Sequence, residues 1–186
     1  MFSRQDVCAL TGIPVARFKS LARRDQLPTA YVPPAGASEE IQDHAKERGW
    51  NWFSPIDVLL IAVQERLMMQ IGYAEGFAAD TAAKVVTNNA GDIGRIFWLA
   101  SKTIGEPSPH DLWVGYLGYT DRLGGSHGGR NLSGSLATIV AEQINSDTPE
   151  AQPARVVLVN VSAVLRDIRN SATRLNVTFP VPADWQ

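Results

Sequence analysis

Through the first half of the chain, apolar residues recur at helical spacing; beyond it they gather in short runs that suit strands. In "SRQDVCALTG", Ser3 can accept the orphan amides of a first helix and Asp6 stands where a capping box needs an acid. Gly12 comes after the last helical residue, and Val7, Cys8 and Leu10 share one face. A second helix, "PVARFKSLARRDQL", opens on Pro14 at a permitted first-turn position and sets Val15, Phe18 and Leu21 along a stripe that should be buried. Pro28, Pro33, Pro34 and Gly36 exclude a long helix in the next segment. There Tyr31-Val32 and Trp50 to Phe53 predict two short facing strands, joined by residues 35–48. Within that connection, "SEEIQDHAKER" has acids first and bases last, as a short exposed helix would. Ser54-Pro55 opens a third helix whose apolar face is Val58, Leu59, Ala62, Val63, Leu67 and Met68. Gly72 ends it, and "AEGFAADTAAKVV" reads as a fourth helix before a turn at "NNAGD".

From about residue 95 the pattern predicts strands at "RIFWLAS" and "DLWVGYLGY" and a flexible glycine-rich loop at "DRLGGSHGGRNLSG". "SLATIVAEQI" fits helix or strand equally. "ARVVLVNV" is the clearest strand in the chain. It leads through Ser162 into "AVLRDIRNSATRL", a helix with Val164, Leu165, Ile168, Ala172 and Leu175 on one face. The expected fold class is therefore mixed, a mainly α N-terminal unit (residues 1–90) succeeded by a small α+β domain (residues 95–186).

Composition narrows the function classes. The 186 residues are 45% hydrophobic and 19% charged, as a packed globular chain is, and the net charge of −2 gives no overall pull toward nucleic acid. Charge is nonetheless uneven. Arg17, Lys19, Arg23 and Arg24 crowd the second helix against one acid, Asp25. Cys8 is the sole cysteine, which excludes an internal disulfide and a cysteine zinc site. His44, His110 and His127 lack metal-ligand spacing, so neither metal nor cofactor is expected. "MFSRQDV" lacks a signal-peptide pattern and no apolar run reaches membrane-spanning length, which predicts a soluble cytoplasmic chain with no membrane partner.

Helix, turn, basic helix, strand pair, then aromatic-Ser-Pro-helix is an order that resembles the MerR-type winged helix-turn-helix. Two blocks carry the resemblance: "LTGIPVARFKSLARRDQL", through Thr11, Gly12, Ile13, Val15, Phe18 and Leu27, and "GWNWFSPIDV", through Gly49, Trp50, Phe53, Ser54, Pro55, Asp57 and Val58. "IGYAEGFAADTAAKVV" is similar to the family's closing helix. The likeness spans roughly the first 90 residues. The chain departs from the pattern in three ways. The connection from Leu27 to Gly49 is long and carries Glu39, Glu40, Asp43 and Glu47; Asn51 and Trp52 occupy wing positions that are commonly basic; and no heptads come after residue 90 to build the dimerising coiled coil.

The resemblance implies a DNA-binding protein without enzymatic activity, most simply a transcriptional regulator acting as a homodimer or higher oligomer. The second helix would enter the major groove of double-stranded DNA, with Ala16, Arg17, Lys19 and Ser20 near base edges or flanking phosphates and Arg23 and Arg24 on phosphates. Ser3 would offer backbone amides to a phosphate, and Arg48, Asn51 and Trp52 would complete the contact from the wing. Trp50 and Phe53 read as packing residues and Cys8 as a small buried one. "GGSHGGR" lacks the context of a phosphate-binding loop, and Ser126, His127 and Asp121 stand too close together to suggest a catalytic triad. The C-terminal domain could dimerise, bind an effector or dock a protein partner. Two further readings stay open: a phage or mobile-element DNA-binding protein of excisionase or small-terminase type, and a winged protein-interaction scaffold.

Overall fold

The computed structural model describes residues 1–28, 52–71, 77–102, 111–120, 126–144 and 152–180. Its elements, in chain order, are α1 (Arg4–Thr11), α2 (Val15–Arg23), α3 (Pro55–Ile71), α4 (Phe77–Asn88), α5 (Ala90–Lys102), β1 (Trp113–Thr120), β2 (Ser126–Gly134), a helical segment α6 (Leu136–Thr138 continued by Ile139–Ile144), β3 (Gln152–Asn160) and α7 (Val161–Leu175). The architecture is mixed, with helices set against a three-stranded antiparallel sheet of order β2-β1-β3.

Two helices start in the same way. Ser3 and Ser54 each accept the amide hydrogen three residues on, from Asp6 and Asp57, at 3.3 Å. Each aspartate in return accepts from the backbone amide of its serine at 2.8 Å, a reciprocal box that satisfies two orphan donors. Beyond the first turn the two helices differ. α1 is short and buries one face through Val7, Cys8 and Leu10, whereas α3 buries every residue from Val58 to Glu65 and then Leu67, Met68 and Ile71. A helix apolar nearly all round must sit inside the molecule. α3 accordingly touches α1, α4, α5, α7 and β3, so it is the axis of the core and not an amphipathic helix with one apolar face.

The sheet covers one side of that core. Val114 of β1 and Val157 and Val159 of β3 face the helices, with Tyr116 beside them. Arg155, on the same face, donates from Nη2 to the last carbonyls of α3, those of Gln70 (2.9 Å) and Ile71; a cation suits the negative end of a helix. α7 closes the molecule. Asn160 caps it, its side chain accepting from the Ala163 amide at 2.9 Å, and Val164, Leu165, Ile168 and Ala172 point inward. Beyond α7, Phe179 stacks on Phe2 (5.5 Å) and edge-on to Phe97 (6.2 Å). The chain's beginning and its final described segment thus meet in one cluster, and the 90–95 boundary drawn from sequence falls inside α5.

Several expectations are corrected. "RIFWLAS" belongs to helix α5, which begins upstream at Ala90. Ile93, Ile96 and Phe97 are spaced for a helix once the upstream residues are included, and α4 and α5 part at a single residue, Asn89. Its buried side chain donates back to the Val85 carbonyl at 2.8 Å. The glycine-rich stretch Ser126–Gly134 is strand β2, in register with β1 from Trp113↔Gly134 to Gly118↔Gly129. A Cβ at Gly129 would lie 2.1 Å from the Tyr116 hydroxyl, so this glycine makes room for a ring that crosses the strand. "SLATIVAEQI" resolves as α6, an α-turn at Leu136–Thr138 capped by Ser135 that widens into a π-turn at Ile139–Ile144. Val15 and Leu175, expected inside, are exposed, and Asn160 rather than Ser162 begins the last helix; Ser162 is buried. The short helix expected within residues 35–48, Tyr31-Val32, Trp50 and Gly72 lie outside the described residues.

Gly129→Val should destabilise the fold by about 1–3 kcal/mol, the usual cost of overpacking. Adding Tyr116→Ala should recover part of that loss. Thermal melts of the two single variants and the double variant test the contact; strictly additive losses would refute it.

Candidate nucleic-acid interface

α1 and α2 are joined by three residues, Gly12, Ile13 and Pro14. Gly12 has φ 76°, the left-handed conformation that ends a helix with least strain in glycine, and its amide donates to the Cys8 carbonyl at 2.9 Å. Ile13 is buried and anchors the turn. α2 then rests on the core through Phe18 and Leu21, and Phe18 meets Phe53 edge to face at 5.5 Å. Phe53 exchanges backbone hydrogen bonds with Phe2 (2.8 and 2.9 Å) in an isolated antiparallel bridge, so this position is tied to residue 2.

Packing on Phe18 and Leu21 turns Ala16, Lys19, Ser20 and Arg23 outward. These lie at i, i+3, i+4 and i+7, the spacing of a single helical strip. Ala16, Lys19 and Arg23 are exposed, Ser20 is half-buried, and Arg24 is exposed at the end of the helix. Among the described residues no carboxylate pairs with Lys19, Arg23 or Arg24. Arg17 is placed differently. It lies on the flank toward α3, where its Nη1 meets Glu65 Oε1 at 2.7 Å, with side-chain exposures of 28% for Arg17 and 9% for Glu65.

The remaining candidates separate in space. Ser3's amide already donates to Asp6, and that carboxylate puts negative charge at the position where the resemblance would set a phosphate. Trp52 is half-buried; Arg48 and Asn51 lie outside the described residues. Sequence reasoning misses the exposure of Val15. It stands 47% exposed at the first turn of α2 beside Ala16, although its spacing places it in the buried stripe. Glu65 is missed as well, yet its signal is legible: Gln64, Glu65 and Arg66 are a polar triplet inside the run "VLLIAVQERLMM".

Among the described residues no three His, Cys, Asp or Glu side chains gather as metal ligands, and no described helix is long and apolar enough to cross a membrane. No family model, curated protein or solved structure matches the chain.

Cys8 sits buried between the helices. Burial pushes its thiol up from the ordinary value, and the Arg4 guanidinium opposes that rise. A thiol held neutral is a poor nucleophile, so labelling by a disulfide reagent should stay slow in the native protein and become fast in denaturant. A raised folded value also means that the thiol's contribution to stability is intact below the unfolded value and is lost as pH rises through the folded one. Cys8→Ala should flatten the alkaline limb of melting temperature against pH, and an unchanged limb would show that the thiol has no such role.

Proposed function

We propose that the chain binds double-stranded DNA through α2 and acts as a transcriptional regulator, as a homodimer or higher oligomer. One observation carries this reading: the outward strip of α2 presents Lys19 and Arg23, with Arg24 next to them, as exposed cations that no described carboxylate neutralises. Charge so placed differs from a scattered solvated face, because the helix is fixed from behind by Phe18 and Leu21 and leads with small side chains. Val15 and Ala16 at its first turn would let the backbone approach the major groove and suit the methyl group of thymine. Lys19 would reach phosphates or base edges, and Arg23 and Arg24, farther along the helix, would neutralise backbone phosphates. Ser20 sits between them as a short hydrogen-bonding side chain. A single small module of this kind supplies little affinity, which is the reason for proposing two or more copies on DNA.

A mobile-element role is the second reading. It is favoured by the compact sheet and helix that come after α5 where a long dimerising coiled coil would stand, and occupancy at clustered sites of one locus would distinguish it.

The reading is tested with a duplex enriched from a random-sequence pool. Its affinity should fall steeply as salt rises. Lys19→Gln and Arg23→Gln should each weaken binding and lower the log–log salt slope by about 0.9 for each phosphate no longer neutralised, while stability moves by no more than about 0.5 kcal/mol, as for surface substitutions. A wild-type chain with no salt-sensitive binding to any duplex would overturn the proposal and leave a protein-interaction scaffold in its place.

A further inference from the structure

α2 rests against the two buried polar residues of α3, Gln64 and Glu65, which stand next to each other in a helix whose other buried residues are all apolar. Gln64 is completely buried, and its Nε2 donates to the backbone carbonyl of Gln26, just beyond the end of α2. Gln26 in turn donates from its own Nε2 to Asp80 Oδ1 of α4 at 2.8 Å. One residue on from Gln64, the buried Glu65 accepts from Arg17 Nη1 at 2.7 Å, near the start of α2. The helix is thus held by polar contacts close to both ends and by Phe18 and Leu21 between them. The second oxygen of each group, Gln64 Oε1 and Glu65 Oε2, is buried without a hydrogen-bond partner among the described residues.

A pair built in this way adds little net stability, because apolar side chains of similar volume would fill the same space without the desolvation penalty. It does add direction. Greasy contacts let a helix slide or roll by a fraction of a turn, whereas a charge-assisted bond at 2.7 Å fixes where the start of α2 sits. The pair is also asymmetric. Arg17 is partly exposed and can turn to water if Glu65 is removed; Glu65 has no such escape if Arg17 is removed.

We propose that Arg17 is a positioning residue. With Glu65 and Gln64 it forms a two-point polar clamp that sets how α2 lies on α3, and it stands outside the set of side chains that touch DNA. The second clause rests on the DNA-binding function proposed for α2; the clamp does not.

The test compares R17M, E65M, R17M/E65M and K19M in the full chain by thermal melting, and by binding to the selected duplex and to bulk duplex DNA across a salt series. R17M should lower the melting temperature by about 10 °C, since it strands a buried carboxylate, and E65M should lower it less. The double variant should recover most of the loss; if R17M does not fold at all, a folded double variant is itself that recovery. In binding, R17M/E65M should keep the wild-type salt slope while its preference for the selected duplex over bulk DNA falls several-fold, because α2 is no longer held in place. K19M should lower the slope by about 0.9. A double variant whose slope drops as that of K19M does would make Arg17 a phosphate contact and overturn the proposal, as would additive losses in the melts. If the wild-type chain binds no duplex, the DNA reading fails by itself, and coupling or additivity in the melts still decides the clamp.

Discussion

The burial of α3 is the constraint on which the rest depends. Eleven of its residues are shielded from water, and each fully buried Val, Leu or Ile contributes about 1.5–3 kcal/mol. A single helix cannot shield itself on all sides, so α1, α4, α5, α7 and the sheet are there as its walls. The identity of those walls explains why the first residues and the last described segment meet. Phe2 and Phe97 both meet Phe179 after α7, Phe53 is bridged to Phe2 through the backbone and meets Phe18 of α2, and Arg66 of α3 pairs with Asp167 of α7 at 3.0 Å on the surface.

The candidate interface is a consequence of this arrangement. α2 is placed by the side it gives to α3, through Phe18, Leu21 and the Arg17–Glu65 pair, and the strip it offers to solvent is what remains. Lys19 and Arg23 project outward because Phe18 and Leu21 project inward. This geometry also separates the four bases of α2 into two kinds. Three stand free of described carboxylates, and one is bound to a buried glutamate and is part of the support.

Much of the local structure is legible in the residues. The capping serines, Gly12 at the left-handed turn, the paired strand "ARVVLVNV" and the last helix all come from chemistry confined to a few neighbours. The departures have a common origin. "RIFWLAS" reads as a strand because a short apolar run has no resolvable period until Ala90 to Gly94 are added to it. Ser126–Gly134 reads as a loop because a glycine-rich strand has no propensity of its own; β1 holds it in place, and Gly129 is glycine to admit the Tyr116 ring. Val15 and Leu175 fit an apolar stripe on their own helices, yet the walls around α3 do not extend far enough to cover them.

The sequence by itself determined where the first three helices begin, that the class is mixed, and which helix carries excess positive charge, since each depends on residues within a turn or two of one another. Tertiary structure alone decided which of those charges are available. Arg17 and Lys19 are two positions apart and chemically similar, but a helix turns about 200° between them, and only the core's location says which one meets Glu65. Burial of a polar group is a property of everything packed around it, and Glu65 meets its partner Arg17 across 48 residues of chain.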